Sequence, residues 1–242
     1  MGSGIIQRGM AAATLLLSIH LLAATGAACQ ADIDQPPDPP PPADPLADKI
    51  DLLLKDVIAP DGLVYYQLLR KRKGELEAIV ADFAPKREHE SDDAKLAYLI
   101  NAYNVFVMHQ VLERWPIKKV NKIRGFFDKH KFTLDGKEVT LNYVENKLVR
   151  PFGDPRIHAA LVCAAVSCPP LRNEAYRALK LDEQLKDNTQ RWLADPKKNT
   201  AKKKRAYISK IFKWYRKDFD AKPYNDLHGF LTLQRKFCSR RS

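Results

Sequence analysis

Cysteine is scarce in this sequence: its 242 residues contain four, Cys29, Cys163, Cys168 and Cys238. So few cysteines exclude a small scaffold held together by disulfides. Acidic residues are also few, with 29 Asp and Glu against 41 Lys and Arg, which gives a formal net charge of +12. The remaining composition, 45% hydrophobic and 29% charged, is that of a globular protein. The length therefore suits one domain with a real core, or at most two small ones.

The sequence also lacks an apolar run of the length that a transmembrane anchor needs, about 20 residues. The apolar stretch 10–24 follows a single basic residue, Arg8, and includes polar residues such as His20. Small residues follow it up to Ala28. This pattern predicts a signal peptide over residues 1–28 and therefore an exported protein.

Cys29 follows a Gly-Ala-Ala stretch, which resembles the lipobox of bacterial lipoproteins, where the cysteine is acylated. Lipoproteins prefer Leu three residues before that cysteine, where Gly26 stands here, so ordinary cleavage nearby is the alternative. Either way we expect an exported protein. Ordinary cleavage would leave it periplasmic, and lipidation would anchor it to the envelope through Cys29. Residues 29–45 are rich in proline and predict an extended tether, followed by a single globular domain over 46–242.

No internal repeat is visible, and beyond the tether most of the chain has apolar residues at helical spacing. Helices are predicted over 48–58, 76–83, 91–116, 142–150, 157–165 and 174–194. Ser91 is a candidate N-cap, and the middle of its helix is apolar on every face, which indicates burial all round. Asp135-Gly136 predicts the turn of a hairpin, and 207–210 a short strand. The expected fold class is α+β: a predominantly helical single domain with a small antiparallel sheet.

Asn101 and Asn104 lie three residues apart on the buried helix, so both amides face one side, near Tyr103 and His109. A buried amide without partners costs about 1–3 kcal/mol, so each needs hydrogen bonds. Two interpretations are open. The amides bridge neighbouring main chain, or one of them orients a catalytic base or polarises a carbonyl.

His158, Cys163 and Cys168 lie within eleven positions. In a helix over 157–165, Cys163 would stand near the C-terminus, where the helix dipole disfavours a thiolate. Cys168 precedes two prolines and is therefore extended, which makes it the better nucleophile and Cys163 the better core residue. A disulfide between the two is an alternative that would silence both. Cys-x4-Cys with one nearby His is poor zinc spacing, so we expect no metal and no cofactor.

A basic strip spans residues 197–217, with ten Lys and Arg and no acid. Its candidate surface-binding residues are Lys202, Lys203, Lys204, Arg205, Lys213, Trp214 and Tyr215. For an exported protein the expected partner is an anionic membrane or polysaccharide surface rather than nucleic acid. The alternative is a solvated loop at 197–205.

Four stretches resemble the domain-of-unknown-function family 547, in the order that the family shows and over roughly 50–235. They are GLVYY (62–66), LINAYN (99–104), DPRIHAALVCAAVSCPPL (154–171) and SKIFKWYRKDF (209–219). The family often has Gly after the first cysteine, where Ala164 stands here. It often has His after the Glu of the preceding helix, where Asn146 follows Glu145.

This resemblance implies a family and not an activity. The presence of Cys, His and Asn suggests a distant likeness to papain-like cysteine hydrolases, although the order here is Asn, His, Cys rather than Cys, His, Asn. One hypothesis is therefore a thiol-dependent acyl-transfer or hydrolytic enzyme on an unknown substrate. Its Cys168 would attack an acyl group, its His158 would take the proton, and Asn101 or Asn104 would orient the imidazole or donate to the oxyanion. The alternative is a non-enzymatic envelope protein whose basic strip binds an anionic surface and whose cysteines are structural.

Overall fold

The computed structural model describes residues 43–165, 168–202, 205–221 and 226–238, with the main chain alone at 201–202, 205–206 and 233–238. The predicted signal peptide, Cys29 and the tether up to residue 42 lie outside these residues. In the part of the chain that is described, no helix has the length and apolar character needed to cross a membrane.

The fold is α+β, with three helices of 13 to 21 residues, several shorter ones and two antiparallel two-stranded sheets among the described residues. The α-helices are α1 (Pro45–Val57), α2 (Tyr66–Lys71), α3 (Lys73–Asp82), α4 (Asp92–Leu112), α5 (Leu141–Tyr143), α6 (Ile157–Ala160), α7 (Leu181–Ala194), α8 (Ile211–Trp214), α9 (Arg216–Phe219) and α10 (Leu227–Cys238). The strands are β1 (Phe132–Leu134), β2 (Lys137–Val139), β3 (Thr200–Lys202) and β4 (Arg205–Tyr207). A π-helical turn covers Val144–Val149, and 3-10 turns cover Val120–Lys122, Arg150–Phe152 and Ala178–Lys180.

Helix α4 forms the centre of the larger core. The Oγ of Ser91 accepts a hydrogen bond from the backbone N–H of Ala94 at 3.1 Å, which confirms the predicted N-cap. From Leu96 onwards the helix is buried on almost every face, as its sequence indicates. It packs against α3 and the π-helical turn, so it can hold chain segments on several sides.

The hairpin predicted around Asp135-Gly136 is confirmed, since β1 pairs with β2 in the register Phe132 to Val139. The helix predicted over 157–165 is wrong in length, because α6 ends at Ala160. Leu161, which follows it, is extended. The side chain of Asn104 donates to the carbonyl of Ala160 and accepts from the backbone N–H of Val162. This competing hydrogen bonding ends the helix before Cys163.

A second core cluster consists of Trp192 from α7, Phe212 from α8, Phe219 from α9 and Phe230 from α10, packed with Ala159. The Trp192 and Phe212 rings stack with centroids 4.6 Å apart, and those of Phe219 and Phe230 meet edge to face at 5.0 Å. Each such buried side chain stabilises the fold by roughly 1.5–3 kcal/mol. The cluster therefore fixes α8 and α9 beside α6.

Candidate functional site

A pocket of about 1130 Å³ opens beside α6 and α8. His158, Cys163 and Cys168 all line it, so folding brings together the three residues that the sequence singled out. Tyr103, Glu145 and Tyr215 line it as well. The pocket therefore combines sulfur atoms with groups that can accept and donate protons.

His158 is 3% exposed and bonded to a carboxylate: its Nε2 lies 2.7 Å from Oδ2 of Asp218. An ionised carboxylate only accepts hydrogen bonds, so Nε2 carries the proton and the lone pair of the neutral ring is on Nδ1. The imidazole also stacks on the ring of Tyr215, with centroids 4.0 Å apart. These two contacts fix both the tautomer and the plane of the ring.

Asp218 also accepts two hydrogen bonds from Arg150, at 2.8 Å from Nε and 2.7 Å from Nη2. Partial burial by itself raises the pKa of Asp218, but the hydrogen bonds from His158 and Arg150 and the positive charge of Arg150 outweigh it. The pKa of Asp218 therefore lies well below its usual range, and the carboxylate stays ionised. Sequence reasoning missed Asp218, although it lies in the stretch 209–219 that resembles the family.

Position 146, where the family often has His, belongs to the same network. The Nη1 of Arg150 donates to Oδ1 of Asn146 at 2.7 Å, and the Nδ2 of Asn146 donates to Oδ1 of Asn142 at 2.9 Å. Asn146 therefore helps to hold the guanidinium that in turn holds Asp218.

Glu145 is half-buried in the pocket wall, and the hydroxyl of Tyr103 donates to its Oε2 at 3.3 Å. The side chain of Tyr215 also forms a hydrogen bond with Glu145. Burial first, and then the Glu145 carboxylate, raise the pKa of both tyrosines. Both hydroxyls therefore stay protonated and donate to Glu145. Sequence reasoning singled out neither this carboxylate nor its partners Tyr103 and Tyr215 for that role.

Cys163 and Cys168 form a disulfide, which the sequence analysis gave as an alternative. The expectation that Cys163 is the core residue of the two is wrong. Cys163 is half-buried, whereas Cys168 is 4% exposed and belongs to the core. The reason is the early end of α6, which releases Cys163 from the helix. Between them Ala164 has a φ of +56°, a conformation that suits Gly better and so explains the family's preference.

Three buried asparagines hold the two ends of the segment that carries this disulfide. Asn104 bonds Ala160 and Val162 before it, and Asn101 exchanges two bonds of 2.8 Å with the main chain of Tyr176 after it. Asn188 on α7, which sequence reasoning missed, spans both ends by donating to the carbonyls of Ala159 and Pro170. The contacts of Asn101 and Asn104 thus correspond to the structural interpretation, and their amides bond main chain rather than His158.

The basic strip is described in part. Lys203 and Lys204 lie outside the described residues, and Lys202 and Arg205 are described as main chain of β3 and β4. Lys213 is exposed, and Trp214 is 69% exposed and lines the pocket. Tyr215 is half-buried against His158, so it belongs to the pocket more than to an open surface.

Among the described residues, Glu77, His109 and Glu113 bring their ligand atoms within 4.8 Å of one another. The ammonium of Lys73 lies 2.7 Å from Glu113 and 3.5 Å from Glu77. A protein cation thus already contacts both carboxylates, and we assign no metal to this cluster.

A family model matches part of the chain: DUF547, described as a protein of unknown function, over residues 87–193. This part includes Glu145, His158 and both pocket cysteines, whereas Tyr215 and Asp218 follow it. Neither the curated proteins nor the solved structures give a significant match. Residues 87–193 are therefore similar to the DUF547 family of unknown function, and this match supports the expected family assignment.

Proposed function

We propose that the pocket is the active site of a thiol-dependent enzyme for acyl transfer or hydrolysis, active when Cys163 and Cys168 are reduced. One observation carries this proposal: His158, held by an ionised carboxylate, lines the same pocket as both cysteines. A nucleophile, a base and a group that orients the base are the components of the catalytic triads of cysteine and serine enzymes.

The structure favours different roles from those expected on sequence alone. Cys163 is the better nucleophile, because it is half-buried in the pocket wall while Cys168 belongs to the core. His158 takes its proton through Nδ1, and Asp218 orients the imidazole in place of Asn101 or Asn104.

The reaction begins with reduction. A dithiol gives two electrons and two protons to the disulfide, is itself oxidised to a disulfide, and leaves two thiols in the pocket. The Cys163 thiol then passes its proton to His158, and its sulfur forms a bond to the acyl carbon. The leaving group departs with that proton. Water, or an acceptor hydroxyl or amine, then attacks the thioester and restores the thiol.

The test uses p-nitrophenyl acetate as a general acyl donor. The protein is reduced with dithiothreitol, freed of excess reagent and compared with untreated protein for release of p-nitrophenolate. We expect release from the reduced protein, its loss in Cys163→Ser and His158→Gln, and its retention in Cys238→Ser. Equal release from the oxidised protein, or from Cys163→Ser, would show that the pocket thiol is not the nucleophile.

A second candidate, binding of an anionic surface without catalysis, is favoured by the exposed indole of Trp214 beside the exposed Lys213. Sedimentation with vesicles of anionic or neutral lipid tests it. We expect binding to anionic vesicles that weakens with salt. Replacing Lys202, Lys203, Lys204 and Arg205 together by Glu should abolish it, and unchanged binding would exclude the strip as the contact.

We also propose that the protein is exported and that Cys29 is its lipid-anchoring residue. Mass spectrometry of the protein produced in a bacterial host measures both its N-terminus and any acyl chain. An N-terminal acylated Cys29 is the expected result. An unprocessed N-terminus in the soluble fraction would contradict export.

A further inference from the structure

Positive charge surrounds the pocket more densely than the basic strip alone accounts for. Five lysines line it: Lys118, Lys119, Lys197, Lys198 and Lys210. They come from three separate parts of the chain. Two of them, Lys118 and Lys119, lie far from the basic strip in the sequence but reach the same pocket in the fold. Folding, rather than a local run of sequence, therefore concentrates this charge.

Little within the protein balances these ammonium groups. Lys198 pairs with Asp195, whose carboxylate lies 3.0 Å away. Asp195 also accepts a hydrogen bond from the backbone N–H of Lys197 at 2.9 Å, and the charge of Lys197 helps to lower the pKa of this carboxyl group. Lys118, Lys119 and Lys210 form no ion pair within the described residues. Glu145 is the one carboxylate among the described residues that line the pocket, and it is bonded by Tyr103 and Tyr215. A concave site of one charge sign attracts and concentrates ligands of the opposite sign.

The pocket also offers an aromatic surface. Trp214 lines it with an indole that is 69% exposed, an unusual degree of exposure for so large an apolar side chain. A ligand that fills the pocket can cover this ring while its anionic groups meet the lysines.

From this arrangement we propose that the pocket binds a small polyanion, with two or more carboxylate or phosphate groups held by Lys118, Lys119 and Lys210. If the ligand is also the acyl substrate, that part of the inference rests on the proposed function. The binding of a polyanion does not rest on it. Binding itself requires no thiol, so the oxidised protein is expected to bind as well.

The experiment is isothermal titration calorimetry of the oxidised protein with citrate, with tripolyphosphate and with neutral glycerol. Citrate and tripolyphosphate separate carboxylate from phosphate recognition, and binding of either one supports the proposal. Binding of neither, at millimolar concentration and low salt, overturns it. Because the oxidised protein has no free thiol in the pocket, the outcome is independent of whether the reduced protein hydrolyses an ester.

The matched variants are Lys118→Gln/Lys119→Gln and the control Lys55→Gln/Lys137→Gln, which removes the same charge from exposed lysines outside the pocket. Each of the two substitutions removes one ion pair with the ligand, so the pocket variant should bind about tenfold more weakly. The control should change the dissociation constant less than twofold. Equal weakening by both pairs would mean that net charge, and not the pocket, attracts the ligand.

Discussion

Replacing Gly62 by Ala should destabilise the protein through its close contact with the segment that follows Cys168. Gly62 has a φ of +79°, and a Cβ placed on it would lie 2.5 Å from Cβ and 2.7 Å from Cα of Pro170, and 2.8 Å from the backbone N of Leu171. The backbone N–H of Leu171 already donates to the carbonyl of Gly62 at 3.3 Å. Pro170 is also held by Asn188, so the segment after Cys168 cannot simply move away.

Two effects set the magnitude. A left-handed conformation costs a residue with a Cβ about 1–2 kcal/mol. Inserting a methyl group into a packed region costs about 1–3 kcal/mol. We therefore expect Gly62→Ala to lower the free energy of unfolding by about 2–5 kcal/mol.

Gly136→Ala is the matched control, since Gly136 has a φ of +75° but nothing within 4 Å of an added Cβ. It should lose about 1–2 kcal/mol from the left-handed conformation alone. Urea unfolding of both variants, followed by circular dichroism with the disulfide intact, measures the difference. Equal losses in the two variants would refute the close packing of Gly62 on Pro170.

Three further predictions concern the disulfide segment and the carboxylate of Asp218, which bonds His158. Ala164→Gly should stabilise the protein by up to about 1 kcal/mol, because relief of the strained left-handed conformation outweighs the greater freedom of the unfolded chain. Urea unfolding measures the free energy of unfolding, and a lower value in the variant would contradict this expectation. Asn188→Ala should lower the free energy of unfolding by about 2–4 kcal/mol, because it leaves the carbonyls of Ala159 and Pro170 unpaired. Asn146→Ala, the comparison variant, should lower it by less than about 1 kcal/mol in the same measurement. Asp218 has a lowered pKa in the folded protein, so it stabilises the fold above its unfolded pKa, and that contribution is lost as pH falls below about 4. Asp218→Asn should therefore show a shallower loss of stability between about pH 4 and pH 2 than the wild type, and parallel curves would exclude this contribution.

Local signals in the sequence predicted those parts of the fold that local interactions determine. The apolar positions of α4, its Ser91 cap and the Asp135-Gly136 turn depend on residues a few positions apart. The end of α6 does not, because the amide that competes for its main chain comes from Asn104, 56 residues earlier. Periodicity alone extends that helix to Ala165 and so places Cys163 in the wrong environment.

The candidate site shows the same division. The residues of one short stretch, His158, Cys163 and Cys168, were recognised because they lie together in sequence. The carboxylate that bonds His158 was missed because Asp218 lies 60 residues further on. Lys118 and Lys119 reach the pocket in the same way, from a loop far from the basic strip. Ion pairs between distant segments leave no periodic trace in a single sequence.

The most direct test of the thiol-dependent pocket is the rate at which iodoacetamide alkylates each cysteine of the reduced protein at neutral pH, resolved by peptide mass spectrometry. Cys163 should react roughly tenfold or more faster than Cys238 in the same molecule, because His158 removes its proton. His158→Gln and Asp218→Asn should both bring Cys163 towards the rate of Cys238. If Cys163 in the wild-type protein reacts no faster than Cys238, or if neither variant slows it, His158 does not activate the thiol and the proposed enzyme is contradicted.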